Sequence, residues 1–233
     1  MTANLDAHDG VAEAALWGIA RYSAADGAPV LLPLSEADVE ADTLAAVTRL
    51  RAFGIGTDDA ILVVSLMQDA AQMAPFQYAV RRLGGTVCLA DASPFDAYRT
   101  AAIVSQWHPR LVIGLDAGVV SGLEQLGHDV AELLGCVSAV LALPSAWPRL
   151  TELGVPYRRL FPLGPAIAAE CPDGAGAHVD AAVWQVRADD GQILLSSAAP
   201  RAHTVTDLAT GTRGEVATGR CGCGSDDPRV LPA

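Results

Sequence analysis

The stretch Asp58-Asp59-Ala60-Ile61-Leu62-Val63-Val64-Ser65 decides the fold class. Two carboxylates lead into an unbroken aliphatic run with no alternation of polar and apolar residues. A strand with one wet face alternates, whereas a strand covered on both faces does not. Reading toward the C-terminus, a helical span over 72–83 ends at Gly84-Gly85, and Thr86–Ala90 forms a second strand. A helix over 94–106, a strand over 111–114, a helix over 119–134 and a strand over 137–143 follow. Toward the N-terminus, Ser35-Glu36-Ala37-Asp38 places a capping hydroxyl three residues before a carboxylate. It starts a helix that runs to Phe53 and stops at Gly54-Ile55-Gly56. Residues 10–21 read as a short Ala-rich amphipathic helix, and 22–34 as a turn-rich strand or loop.

Residues 60–145 therefore read β-α-β-α-β-α-β, which predicts an α/β fold with a parallel or mixed sheet flanked by helices. After Pro144 the texture changes to Gly, Pro, Asp and short alternating segments over 179–187, 192–196 and 213–217. The expectation is an α/β domain over 1–150 and a small β-rich C-terminal subdomain over 151–233.

Composition narrows the function. The net charge is -12, and all fifteen basic residues are arginine. An acidic surface repels phosphate backbones and anionic membranes, which argues against nucleic-acid or membrane partners. With no lysine, no Schiff base, lysine clamp on phosphate or lysine general base is available. No apolar run approaches the ~18–20 residues of a membrane span. Residues 1–10 carry Asp6 and Asp9 and no basic cluster, so no secretory signal is read there and a cytoplasmic location is expected.

Five cysteines in such a setting are thiols or metal ligands. Cys88 and Cys136 lie in apolar stretches and read as core residues. Cys171, His178, Cys221 and Cys223 form Cys-x6-His … Cys-x-Cys, a soft set that suits tetrahedral zinc, with glycines at 174, 176, 222 and 224 for tight turns. Four protein ligands would make such a zinc structural, closed to water. Free cysteines packed in a reduced fold are the other reading.

Several segments, taken together, resemble a known family. Ser23-Ala24-Ala25-Asp26-Gly27-Ala28-Pro29 resembles the phosphate loop S-G-T-T-G-K-P of adenylate-forming enzymes. Glu170-Cys171-Pro172 with Gly176-Ala177-His178 resembles E-C-x-x-x-x-G-L-H of the phenylacetate–CoA ligase branch. Asp190–Leu195 fits the hairpin that follows in that branch. Residues 200–208, from Pro200 to Asp207-Leu208, resemble P-x-I-R-Y-R-T-G-D-L, and Cys221-Gly222-Cys223-Gly224 resembles C-x-C-G. The resemblance implies a degenerate nucleotide site at Ser23, Gly27 and Asp207, where the family aspartate holds ribose hydroxyls. It also supports the zinc ligands and is compatible with a homodimer.

The departures argue against ATP or AMP as a cofactor. Ala28 replaces the loop lysine, and Asp26 puts a negative charge in the phosphate path. Arg159–Pro165 stands where an aromatic-Gly-x-Thr-Glu motif is expected. His203 and Val205 fall in the stretch that should supply the phosphate-binding arginine. The sequence given also ends before the family's mobile domain with its catalytic lysine. Removing one cation aimed at the transition state costs ~3–4 kcal/mol, and several are missing here.

Three functions compete. The first is a non-ligating homologue that binds a small aromatic or acyl carboxylate or thioester, or supports a partner enzyme. The second is an ATP-independent biosynthetic enzyme using His203, Asp207 or Glu170 as acid–base groups. The third is a residual AMP-forming ligase completed in trans. Against the second, His203 and Asp207 also read as a loop relic of the ribose site. Trp107, Trp147 and Trp184 read as core or interface residues rather than as one aromatic pocket.

Overall fold

The computed structural model of the protein describes residues 15–23, 25 and 27–233. A hairpin of β1 (Leu16–Ser23) and β2 (Pro29–Ser35) opens the described chain and forms its own two-stranded sheet. The helix expected over 10–21 is therefore corrected: residues 10–14 lie outside the described residues, and 16–21 are strand. Ala20 and Tyr22 turn inward at 1% and 5% exposure, a period of two rather than 3.6.

Next comes α1 (Glu36–Ala52), capped as the sequence indicates. The Asp38 N–H donates to Ser35 Oγ at 3.2 Å, and the Ser35 N–H donates to Asp38 Oδ2 at 2.8 Å. Then follow β3 (Ala60–Ser65), α2 (Ala70–Arg82), β4 (Thr86–Asp91), α3 (Ala97–Trp107) and β5 (Leu111–Leu115). The single helix expected over 119–134 is two, α4 (Ala117–Gln125) and α5 (Val130–Leu134). Gly127 at φ +80° breaks the run, and Asp129 caps the second helix. After them come β6 (Ala139–Ala142) and α6 (Trp147–Glu152).

Strands β4, β3, β5 and β6 are parallel neighbours. Both faces of this sheet are covered, as the unbroken run in β3 requires. Ile61 and Val63 pack with Leu50 of α1 and Met73, Phe76 and Val80 of α2. Leu62 and Val64 pack with Val104, Val119, Leu123 and Leu150 from α3, α4 and α6. All four β3 side chains are fully buried. At about 25 cal/mol per Å² of apolar surface, a fully buried aliphatic side chain of this size contributes roughly 1.5–3 kcal/mol.

β7 (Arg158–Leu163) joins two textures. It pairs parallel with β6 and antiparallel with β8 (Ala166–Glu170). From there β9 (Ala177–His178), β10 (Trp184–Asp189), β11 (Gln192–Ser197), β12 (Leu208–Ala217) and β13 (Arg229–Pro232) continue one 11-stranded sheet. Its order is β10-β11-β12-β13-β9-β8-β7-β6-β5-β3-β4. The fold is mixed α/β around this sheet, and the C-terminal strands extend it rather than forming a separate one. The hairpin β1–β2 packs on that half: Ala20, Tyr22 and Leu32 share a core with Trp184, Ile193 and Val205. No helix among the described residues is long and apolar enough to cross a membrane.

Candidate functional site

Cys171 follows the last residue of β8, His178 ends β9, and Cys221 and Cys223 lie in the connection from β12 to β13. β9 is held between β8 and β13, with His178 opposite Ala169 on one side and Arg229 on the other. This pairing fixes where the imidazole sits. Gly176, at φ +104°, leads into β9 in a backbone conformation that side chains rarely adopt, with Arg229 Cβ 3.1 Å from where a Cβ would stand. The knuckle turn is closed by Gly224 N–H to Cys221 O at 2.9 Å and Cys221 N–H to Ser225 O at 2.8 Å.

The four side chains converge. Their ligand atoms all lie within 4.8 Å of one another. Cys171 Sγ and Cys221 Sγ are 3.7 Å apart, and Cys223 Sγ is 3.5 Å from His178 Nε2. Tetrahedral zinc with Zn–S near 2.3 Å and Zn–N near 2.0–2.1 Å requires about 3.8 Å between sulfurs and about 3.5 Å from sulfur to nitrogen. The donor set and its spacing fit that ion. Cys171 and Cys221 are buried, and His178 is 1% exposed.

Electrostatics favour the ligating forms of two members. Burial, and then the Arg49 charge, hold the His178 imidazole below its ordinary pKa, so it is neutral with a lone pair to give. The main chain of Asp227 acts on the ring, but Nδ1 stays buried without closing a hydrogen bond. The Cys223 main-chain N–H holds the Cys221 thiol below its usual range. Burial pushes its neighbour Cys171 up to about 11. One thiolate is thus available first, and a bound metal would deprotonate the rest.

Outside the four donors, Arg49 of α1 pairs with Asp227 of the knuckle. Asp227 also accepts from Ser225 Oγ at 2.9 Å and from Ala181 N–H at 3.2 Å. The helix and the Cys-x-Cys turn are stitched together through this carboxylate.

The other candidate residues are scattered. Glu170 is 7% exposed; its Oε2 accepts the Arg159 N–H at 2.8 Å, and Arg159 Nε is 3.9 Å from Oε1. His203 is exposed and makes no hydrogen bond to Asp207. Asp207 sits at φ +49°, with its carboxylate on Arg187 Nε at 3.1 Å and Ser196 Oγ at 3.4 Å. Gly27 is exposed at φ +82° in the turn of the first hairpin; Ser23 ends β1, and Ala24 and Asp26 lie outside the described residues. The three tryptophans do not meet. Trp147 packs edge-on against Phe161, Trp184 is in the core shared with the hairpin, and Trp107 is 60% exposed. Cys136, expected in the core, is exposed because it falls in the turn between α5 and β6; its thiol donates to Leu133 O.

The strongest polar network was not evident from sequence. Arg201, its side chain 3% exposed, grips Asp42 through both Nη atoms at 3.1 and 2.7 Å. It lies 3.6 Å from Asp38 and stacks 4.2 Å over the Trp184 ring. Asp42 also accepts from Trp184 Nε1 at 3.2 Å. The i,i+4 spacing of Asp38 and Asp42 on one helix was the available signal; their partner 160 residues away had none.

Solved structures share this architecture. A 2-hydroxyisobutyryl-CoA ligase, in complex with 2-HIB-AMP and CoA, superposes with TM-score 0.73 at 14% identity, over 92% of this chain and 56% of the ligase. The chain shares its fold with adenylate-forming acyl-CoA ligases. The N-terminal subdomain of Klebsiella oxytoca NpsA, bound to 3-hydroxyanthranilyl-AMSN, gives 0.61 at 12% identity, over 91% and 61%. A long-chain-fatty-acid CoA ligase described as putative, from Rhodopseudomonas palustris, gives 0.58 at 13%, over 92% and 58%. The chain thus spans little more than half the length of these ligases. No protein-family model matches the sequence, and no curated protein matches it.

Proposed function

We propose that this chain is a non-adenylating relative of the phenylacetate–CoA ligase branch. Its knuckle holds one structural zinc, and it binds a small aromatic or acyl carboxylate or thioester. The carrying observation is the fate of Arg201. It is the arginine in the segment that resembles the family's phosphate-binding and ribose-binding strand, yet it is buried against Asp42, Asp38 and Trp184. A guanidinium committed in this way cannot also neutralise a phosphate. No lysine is present in the sequence to compensate. The zinc would pin the β12–β13 turn to β8 and β9 and leave no coordination position for a reacting water.

Exchange of radiolabelled pyrophosphate into ATP, run across a panel of aromatic and short-chain acids, tests the non-adenylating reading. No acid-dependent exchange is expected, and exchange above background with any acid overturns it. Native mass spectrometry of untagged protein purified without chelator should show one zinc per chain; an apo mass with free thiols removes the metal.

A further inference from the structure

A cleft of about 500 Å³ opens at the amino ends of β5 and β6, beneath the C-terminal end of α1, with Pro172, the residue after Cys171, in its lining. That is the size of a small-molecule site. Open α/β sheets usually take ligands at the carboxyl ends of their strands, so this cleft lies at the opposite edge.

Its lining is unusual for this molecule. The net charge is -12, yet the charged residues of the cleft are two arginines, Arg110 and Arg158, with no carboxylate. Arg158 has no acidic partner: it donates to Pro172 O from Nε and Nη2 at 3.0 and 2.6 Å, and to Tyr157 O at 3.3 Å. A guanidinium has five N–H groups, so two remain for a ligand. Arg110 is held loosely by Asp59 at 3.3 Å, with 44% of its side chain exposed. Apolar surface fills the space between, including Phe53 and Tyr157, the latter ring stacked on Trp147.

We infer that this cleft binds a small carboxylate with an apolar or aromatic body, its head group on Arg158 and its body against Phe53 and Tyr157. Two guanidinium N–H groups left over in a cleft lined largely by apolar and aromatic side chains match an arylcarboxylate or short acyl carboxylate. The inference rests on the proposal that the chain binds such a ligand, and it places the ligand at this edge.

Isothermal titration of the full chain with benzoate, hexanoate, benzyl alcohol and phenyl phosphate tests it. Benzoate and hexanoate should bind, with benzyl alcohol at least about tenfold weaker, the loss expected for a charge-assisted hydrogen bond. Arg158→Gln should weaken benzoate by a similar factor. Ser138→Trp, which fills the cleft from an exposed lining position and leaves the Ser138 N–H bond to Arg110 O in the main chain, should abolish binding while melting like the parent. Benzoate binding to Ser138→Trp with parental affinity overturns the cleft and leaves carboxylate binding standing. Alcohol binding as tight as benzoate, or phenyl phosphate binding in place of the carboxylates, overturns the head-group assignment. No binding of any anion to the parent chain overturns the carboxylate-binding proposal itself.

Discussion

Cys221 and Cys223 contribute half of a cluster whose other half, Cys171 and His178, comes from the end of β8 and from β9. Replacing both with serine removes two sulfurs and leaves Cys171 and His178 too few to hold the ion. The double variant is expected to purify without zinc and to melt well below the parent, since structural zinc contributes folding free energy directly. Equal melting of the two proteins would sink the structural-zinc reading. Tyr22 allows a cleaner electrostatic test. Burial, reinforced by Asp42, raises its pKa far above 10 in the folded state. The folded protein therefore keeps a proton that the unfolded chain releases above pH 10. The associated stability is present below pH 10 and lost as pH rises beyond it. Because the chain has no lysine to titrate in the same range, Tyr22→Phe should visibly flatten the alkaline fall in stability. An alkaline unfolding curve identical to the parent's would contradict this.

At the scale of elements, α1 carries more than its capping box. Ser35→Ala removes one cap bond and is expected to cost about 1 kcal/mol, a fall of roughly 2–4 °C in a domain of this size. Asp38 caps the same helix and also accepts the Ala202 N–H at 3.2 Å, beside Arg201. Asp38→Ala keeps Arg201 on Asp42 but leaves the Ser35 and Ala202 N–H groups without their acceptor, at about 1–3 kcal/mol for each buried group left unpaired; thermal melting should place this variant below Ser35→Ala. The start of α1 was legible because capping is local: Ser35 and Asp38 are three residues apart. β3 was legible because its run is unbroken. β1 was misread because alanines at 12, 14, 15 and 20 imitate a helical face, whereas pairing with β2 decides its conformation. β7 and β8 were missed because Arg158-Arg159, Pro162 and Pro165 interrupt the apolar pattern. Those strands are specified by neighbours far along the chain. The Cys171, His178, Cys221 and Cys223 cluster was legible for the opposite reason, since few residue types can ligate a soft metal and these four stand in a recognisable spacing. The cleft arginines, 48 positions apart and bracketed by unremarkable residues, gave no local sign.

For the whole molecule, the continuous sheet and the core shared between the hairpin and the C-terminal strands predict one cooperative unfolding transition. Near-ultraviolet dichroism, which senses Trp184 and Trp147, and far-ultraviolet dichroism, which senses the helices, should give the same midpoint. Two separated transitions would show that the halves fold independently. That shared core also imposes an order on synthesis. Ala20, Tyr22 and Leu32 leave the ribosome some 150 residues before the side chains they pack against, Trp184, Ile193 and Val205. The parallel strands can assemble meanwhile from neighbours close in sequence. The first hairpin must wait with its apolar face uncovered until those residues have been synthesised, and that delay is when the nascent chain is most exposed to aggregation and most in need of a chaperone.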